Sequence, residues 1–97
     1  NFDEEIIRAR AAGRAPHAIF AEAILYLLVY RPISTAEMHP LIQRIHPDLC
    51  DDSVDRAIDG KHFGGKKWKH VVRTAQQHLK KTGQIELKEG LWYLKNR

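Results

Sequence analysis

The sequence contains very little cysteine and no long apolar segment. Its 97 residues include one cysteine, Cys50, which excludes an internal disulfide framework and favours a reducing, cytoplasmic location. The longest apolar stretch, residues 18–30, is interrupted by Glu22 and stops at Arg31. It falls short of the roughly 18 apolar residues that span a bilayer, so we expect no membrane-spanning segment.

Acidic residues are scarce in the second half of the chain. Residues 60–97 contain ten Lys or Arg and two Asp or Glu, a net charge of +8. Residues 1–59 contain six Lys or Arg and ten Asp or Glu, a net charge of −4. Charge segregated in this way creates a directed positive field that attracts polyanions. Nucleic acid is therefore the partner class that the composition favours.

The length and composition fit one modest domain with a short N-terminal extension. A chain of 97 residues with 43% hydrophobic content can bury a single core. Residues 1–15 predict an N-terminal helix, arm or linker, and residues 16–97 predict the main domain. Because the sequence begins with Asn1 rather than Met, we also expect a neighbouring segment outside it.

Apolar periodicity predicts two core helices in the first half of the domain. Pro16 suits a first helical turn, and apolar residues then recur at steps of three and four as far as Leu28. After a short strand at residue 33, Ser34 and Glu37 predict a capping box at the start of the next helix. Pro40 lies inside that helix and predicts a kink or a restart there.

The second half predicts a short helix, a long helix and a hairpin. N-capping residues and a following glycine predict a helix over residues 53–59, and residues 61–65 follow as a loop. A helix over residues 66–82 buries Trp68, Val72, Ala75 and Leu79. Residues 84–94 alternate like a hairpin that turns at Glu89 and Gly90. That turn pairs Leu87 with Trp92 and Ile85 with Leu94 on one core-facing side.

The opposite face of the helix over residues 66–82 is polar and cationic. Cations suit phosphate oxygens, whereas Arg, Gln, Thr and His suit the donors and acceptors of base edges in a major groove. We assign phosphate contacts to Lys66, Lys67, Lys69, Lys81 and Lys88, and base-edge contacts to His70, Arg73, Thr74 and Gln77. A solvated, lysine-rich helix face with no ligand is the alternative interpretation.

This order of elements predicts an α+β, mostly α-helical fold of the winged-helix class. In that variant of the helix-turn-helix, the last helix enters the major groove of double-stranded DNA and a C-terminal β-hairpin, the wing, lies along the backbone. The N-terminal helix or arm predicted over residues 1–15 is an addition to the winged-helix fold. Trp68 is in phase with the core, and Tyr93 faces the other side of the hairpin, where it stacks on a sugar or covers the strands.

One part of the sequence resembles a known family. The stretch "WKHVVRTAQQHLKKTGQIE" (residues 68–86) and the following "GLWYL" (residues 90–94) resemble the winged-helix domains of restriction endonucleases of the Mrr type and of the Dam-replacing type. The resemblance extends more loosely over residues 17–95, and the connection over residues 47–65 fits it less well. It implies a module that reads duplex DNA beside a covalently linked nuclease domain outside this sequence. In the Dam-replacing branch, it implies recognition of adenine-methylated sites.

Three other functions are compatible with parts of the sequence. Asp48, Glu86 and Lys88 imitate the PD…ExK pattern of magnesium-dependent nucleases, although we expect no catalysis by this chain itself. His46 and Cys50 form one pair of metal ligands, too few for a structural zinc site, so we expect no metal and no cofactor. Winged helices also serve as protein docking modules or transcription regulators, and the aspartates over residues 48–59 suit a basic partner.

Overall fold

The computed structural model describes residues 2–11, 13–53, 55–58 and 61–95. These residues form an α+β fold that is mostly helical, with two antiparallel two-stranded sheets. The elements are α1 (Phe2–Ala11), α2 (Pro16–Tyr30), α3 (Thr35–Ile45), β1 (Asp55–Ile58), β2 (Lys61–Lys66), α4 (Lys67–Lys81), β3 (Ile85–Lys88) and β4 (Leu91–Leu94). No helix in these ranges has the length and apolar character needed to cross a membrane.

The core is organised around α2, as its periodicity predicts. Pro16 occupies the first turn, where its missing N–H leaves no helical hydrogen bond unmade. The predicted stripe is buried along the whole helix: Ile19, Phe20, Ala23, Ile24, Leu27 and Leu28. This stripe packs against α4, α3 and β4, so α2 joins the two halves of the chain.

Helix α3 begins with the predicted capping box. The Ser34 side chain accepts a hydrogen bond from the Glu37 backbone, and the Glu37 carboxylate accepts one from the Ser34 backbone N–H. The predicted restart at Pro40 is wrong, because the helix runs without interruption from Thr35 to Ile45. Met38 and Ile42, on either side of the proline, are fully buried and hold both parts of the helix against the core.

Helix α1 packs onto the C-terminal end of α3. The Arg8 guanidinium donates a hydrogen bond of 3.1 Å to the carbonyl oxygen of Ile45, and Arg44 pairs with the buried carboxylate of Glu4. Ile7 is buried in the same apolar cluster as the residues of α2. The N-terminal segment therefore contributes to the core as well as preceding it.

The helix predicted over residues 53–59 and the loop predicted over residues 61–65 are wrong. Residues 55–58 and 61–66 are instead antiparallel strands, in which Ile58 pairs with Lys61. A helix of seven residues gains little stability by itself, whereas Asp-Gly, the dipeptide between the strands, favours two-residue hairpin turns. Val54, Asp59 and Gly60 lie outside the described residues.

The C-terminal hairpin has the predicted register. Leu87 pairs with Trp92, Ile85 pairs with Leu94, and the turn residues Glu89 and Gly90 both have positive φ angles. The short strand predicted at Ile33 is confirmed, because Ile33 forms a β-bridge with Trp92. The burial predicted for Leu87 is wrong: its side chain is 44% exposed, because it lines an open groove between α4 and the hairpin.

Candidate nucleic-acid interface

Helix α4 forms the centre of the candidate site and has the predicted orientation. Trp68, Val72, Ala75 and Leu79 are buried, so the polar residues between them face outward. Three basic residues in its last turn, His78, Lys80 and Lys81, complement the negative end of the helix dipole. Gly83, with a φ of 81°, takes the left-handed conformation that commonly follows a helix.

A groove of about 350 Å³ separates the first two-thirds of α4 from the hairpin; we call it the hairpin groove. Its walls come from α4 on one side and from α3 and the hairpin on the other. Its lining residues are Thr35, His39, Lys66, Lys69, His70, Arg73, Gln76, Gln77, Leu87 and Trp92. None of these is acidic, and three are permanent cations. The hairpin groove is therefore an open surface suited to an anionic ligand.

A second groove, of about 500 Å³, lies on the other side of α4 between that helix and α2; we call it the α2 groove. Thr74, Ala75, His78 and Leu79 line it from α4. From α2 and the residues just before it come His17, Glu22 and Arg14, and the Arg14 guanidinium lies 3.0 Å from the Glu22 carboxylate. The charge on this side is thus largely paired within the protein.

The nine predicted contact residues do not share one surface. Lys66, Lys69, His70, Arg73 and Gln77 line the hairpin groove, as a single continuous group. Thr74 lines the α2 groove, where its hydroxyl donates a hydrogen bond of 3.2 Å to the His70 carbonyl oxygen. Lys67 lies in a smaller depression beside Asp48 and Asp51. Lys81 and Lys88 are exposed and line neither of the two grooves.

Sequence reasoning missed the contribution of α3 to the hairpin groove. His39 is half-buried there, with its ring centre 5.4 Å from that of Trp68 in an edge-to-face arrangement. Burial, and secondarily the charge of Lys69, lowers the pKa of His39 below its usual range. The pattern of α3 gave no sign of this position, since it depends on the angle at which α3 crosses α4.

Trp68 is hydrogen-bonded to the acidic loop that follows α3. Its indole N–H donates a hydrogen bond of 2.7 Å to Asp52, which also accepts one of 3.0 Å from Gln43. These two bonds, the Trp68 bond first, lower the pKa of the Asp52 carboxyl. The Lys69 ammonium lies 5.7 Å from the centre of the Trp68 ring. Trp68 is 4% exposed, so its predicted place in the core is confirmed.

A hydrogen-bonded cluster forms the floor of the hairpin groove. The Thr35 hydroxyl oxygen accepts hydrogen bonds from the Trp92 indole at 3.0 Å and from the Gln76 side-chain amide at 3.4 Å. The same Gln76 nitrogen lies 3.2 Å from the sulfur of Met38. Gln76 and Trp92 are both buried, so these contacts satisfy donors that water does not reach. One hydroxyl thereby links α3, α4 and the hairpin.

The residues of the alternative functions lie apart from this groove. Glu86 and Lys88 of the PD…ExK pattern pair with each other at 3.1 Å on β3, and Asp48 lies in the loop after α3. Cys50 is buried, and burial raises the pKa of its thiol to about 12. Within the described parts of the chain, no three His, Cys, Asp or Glu residues converge as a metal site requires.

Comparisons with known proteins give no relative for this chain. No protein-family model matches it, and no curated protein and no solved structure matches it.

Proposed function

We propose that this chain is a double-stranded DNA-binding domain of the winged-helix class. The observation that carries the proposal is the lining of the hairpin groove: Lys66, Lys69 and Arg73 converge there with two histidines and no acidic residue. A polyanion in the groove would meet these charges, and no carboxylate in the lining would repel it. The net charge of +8 over residues 60–97 supports the same partner.

The dimensions and the order of the elements support α4 as the helix that reads the major groove. A helix of 15 residues is about 22 Å long, and the major groove, about 12 Å wide, admits one α-helix. The bridge between Ile33 and Trp92 fastens the hairpin beside α3, on the same side as the cationic face of α4. A duplex against α4 would thus also meet the hairpin, as in a winged helix.

The proposed contacts divide by chemistry. Arg73, Gln77 and His70, which are adjacent in the hairpin groove, contact base edges, whereas Lys66, Lys67, Lys69 and Lys88 contact phosphates. Lys67, Thr74 and Lys81 lie outside this groove, so their roles are smaller. Lys88 also lies outside it and reaches a phosphate from the hairpin. The docking-module alternative is separated from DNA binding by the experiment below.

Two narrower proposals rest on the resemblance of residues 68–94. One is that this domain recognises the target of a restriction endonuclease whose catalytic domain is covalently linked and outside this sequence. The other is that adenine methylation of the target increases the affinity. Neither requires a cofactor or catalysis from this chain.

The test is the affinity of the isolated 97-residue chain for duplex DNA as a function of salt. We expect the association constant to fall with a slope of about −0.9 per phosphate contact, on the order of a thousandfold between low and physiological salt for six contacts. A screen of randomised duplexes, with and without adenine and cytosine methylation, then measures preference. Absence of binding at low salt, or binding without a salt dependence, would contradict the proposal and favour the docking module.

A further inference from the structure

The side chain of Thr35, in α3, joins the hairpin to α4. Thr35, in the first turn of α3, accepts the Trp92 indole hydrogen bond from the hairpin and the Gln76 amide hydrogen bond from α4. The preceding residue, Ser34, belongs to the capping box that fixes the start of α3. The capped start of α3 thus fixes the backbone at Thr35.

The contact with the hairpin is the stronger of the two. Trp92 exchanges two backbone hydrogen bonds with Ile33, of 2.8 and 3.3 Å, and adds its indole bond to Thr35 at 3.0 Å. These three bonds join the start of α3 to the hairpin close to its tip, because Trp92 is one residue from the strand pair at the tip, which includes Lys88. Lys88 lies on the other strand, next to Leu87, the partner of Trp92. A shift of Trp92 would therefore also shift Lys88.

We propose that Thr35 is a positioning residue for the interface, whose hydroxyl fixes the hairpin relative to α4 so that Lys88 and Arg73 meet the same duplex. This inference rests on the proposed function. Thr35 itself lies in the floor of the hairpin groove, beneath the cations, and acts through Trp92 and Gln76. Its removal would lower DNA affinity by releasing the hairpin contacts, without removing a charge.

A double-mutant cycle tests this role. Thr35→Val removes the hydroxyl and keeps the shape of the side chain, whereas Thr35→Ser keeps the hydroxyl. In the natural sequence, we expect Lys88→Ala to weaken duplex binding about fivefold and to reduce the salt slope by about one. In the Thr35→Val chain, Lys88→Ala should change the affinity by less than about twofold. Thr35→Ser should restore the full Lys88 effect.

Arg73→Ala is the internal control of the cycle. Arg73 lies on α4 itself, so its effect should be equal in the natural and Thr35→Val chains. Circular dichroism and thermal unfolding establish that each variant is folded at the temperature of the binding measurement. If Thr35→Val does not fold, Trp92→Phe removes the same hydrogen bond from its donor side and keeps an aromatic ring, and it enters the same cycle.

The outcomes separate the positioning role from DNA binding itself. Equal effects of Lys88→Ala in both backgrounds, with salt-dependent binding intact, would overturn the role of Thr35 and leave the proposed function standing. Failure of the natural chain to bind any duplex at low salt would overturn both. Loss of the Lys88 effect together with the Arg73 effect would mean that Thr35→Val disrupts α4, which also contradicts a specific role at the hairpin.

Discussion

The two grooves beside α4 share a helix and differ in how their charges are used. The hairpin groove combines Lys66, Lys69 and Arg73 with no acidic residue, whereas the α2 groove contains Glu22, which pairs with Arg14. Each groove also contains two histidines. The two sides of α4 are thus not equivalent toward a polyanion, because no carboxylate lines the hairpin groove and the Glu22 carboxylate lines the α2 groove.

The largest expected effect on duplex affinity comes from Arg73, in the hairpin groove. Arg73→Ala should lower duplex affinity at least about tenfold and relax sequence preference, because a bidentate contact to a guanine edge contributes about 1–3 kcal/mol. Fluorescence anisotropy with labelled duplexes at fixed salt measures both effects. Lys80→Ala is the matched control, since it removes one charge from the exposed surface of the same helix outside both grooves.

Two results of that experiment would contradict the comparison. If Lys80→Ala weakens binding as much as Arg73→Ala, only the total charge of α4 matters. If Thr74→Ala, a change in the α2 groove, relaxes preference as strongly, then the interface spans both sides of the helix.

The next effect is a coupling of binding to protonation in the hairpin groove only. Burial and Lys69 lower the pKa of His39 in the free domain, so its imidazole is largely neutral near neutral pH. A nearby phosphate favours the protonated form, so binding takes up a proton and the affinity should rise as pH falls. We expect an increase of about fivefold between about pH 8 and about pH 6 at constant salt.

Histidine variants assign this coupling to one groove. His39→Gln should flatten the pH dependence of duplex affinity, whereas His17→Gln, in the α2 groove, should leave it unchanged. The reverse pattern would place the duplex against α2.

A third effect concerns folding and must be separated from binding. His46 is 2% exposed, and its Nε2 atom has no hydrogen-bond partner in the described structure. Burial, opposed by Asp48 and assisted by Arg8, lowers its pKa below 6.5. The unfolded chain therefore binds the proton more readily, and stability present above about pH 6.5 is lost as pH falls through the lower folded value.

Chemical denaturation at several pH values measures this loss. We expect the free energy of unfolding to fall by about 1 kcal/mol between about pH 7.5 and about pH 5.5. His46→Gln should make the free energy of unfolding less dependent on pH. His39→Gln should reduce the same dependence separately. An unchanged profile in His46→Gln would show that another group controls acid sensitivity.

The smallest expected effect is at the hairpin. Glu86 pairs with Lys88 at 3.1 Å and competes with a phosphate for its ammonium group. Because the pair is exposed, Glu86→Gln should raise duplex affinity only about twofold, with no change in stability beyond about 0.5 kcal/mol. A loss of affinity instead would assign Glu86 a contact of its own. Glu89→Gln, at the hairpin turn, is a control for the loss of one negative charge.

Local sequence patterns predicted most elements of the fold. Four features depend only on the spacing of residues within about fifteen positions of each other. They are the buried stripe of α2, the capping box of α3, the buried face of α4 and the hairpin turn at Glu89 and Gly90. The failures have physical causes too. Over residues 53–65, capping residues suggested a helix, but residues 55–58 and 61–66 form a strand pair that packs beside α4.

The sequence by itself determined which residues of α4 face inward, because helical geometry fixes that from the spacing of apolar side chains. It also determined the excess of positive charge in the second half of the chain. Only the tertiary structure decided that Arg73 and Thr74 face different grooves, and that His39 and Thr35 join the hairpin groove. Those relations depend on the angles at which α2, α3 and the hairpin pack on α4, and packing angles arise from contacts between residues far apart in sequence.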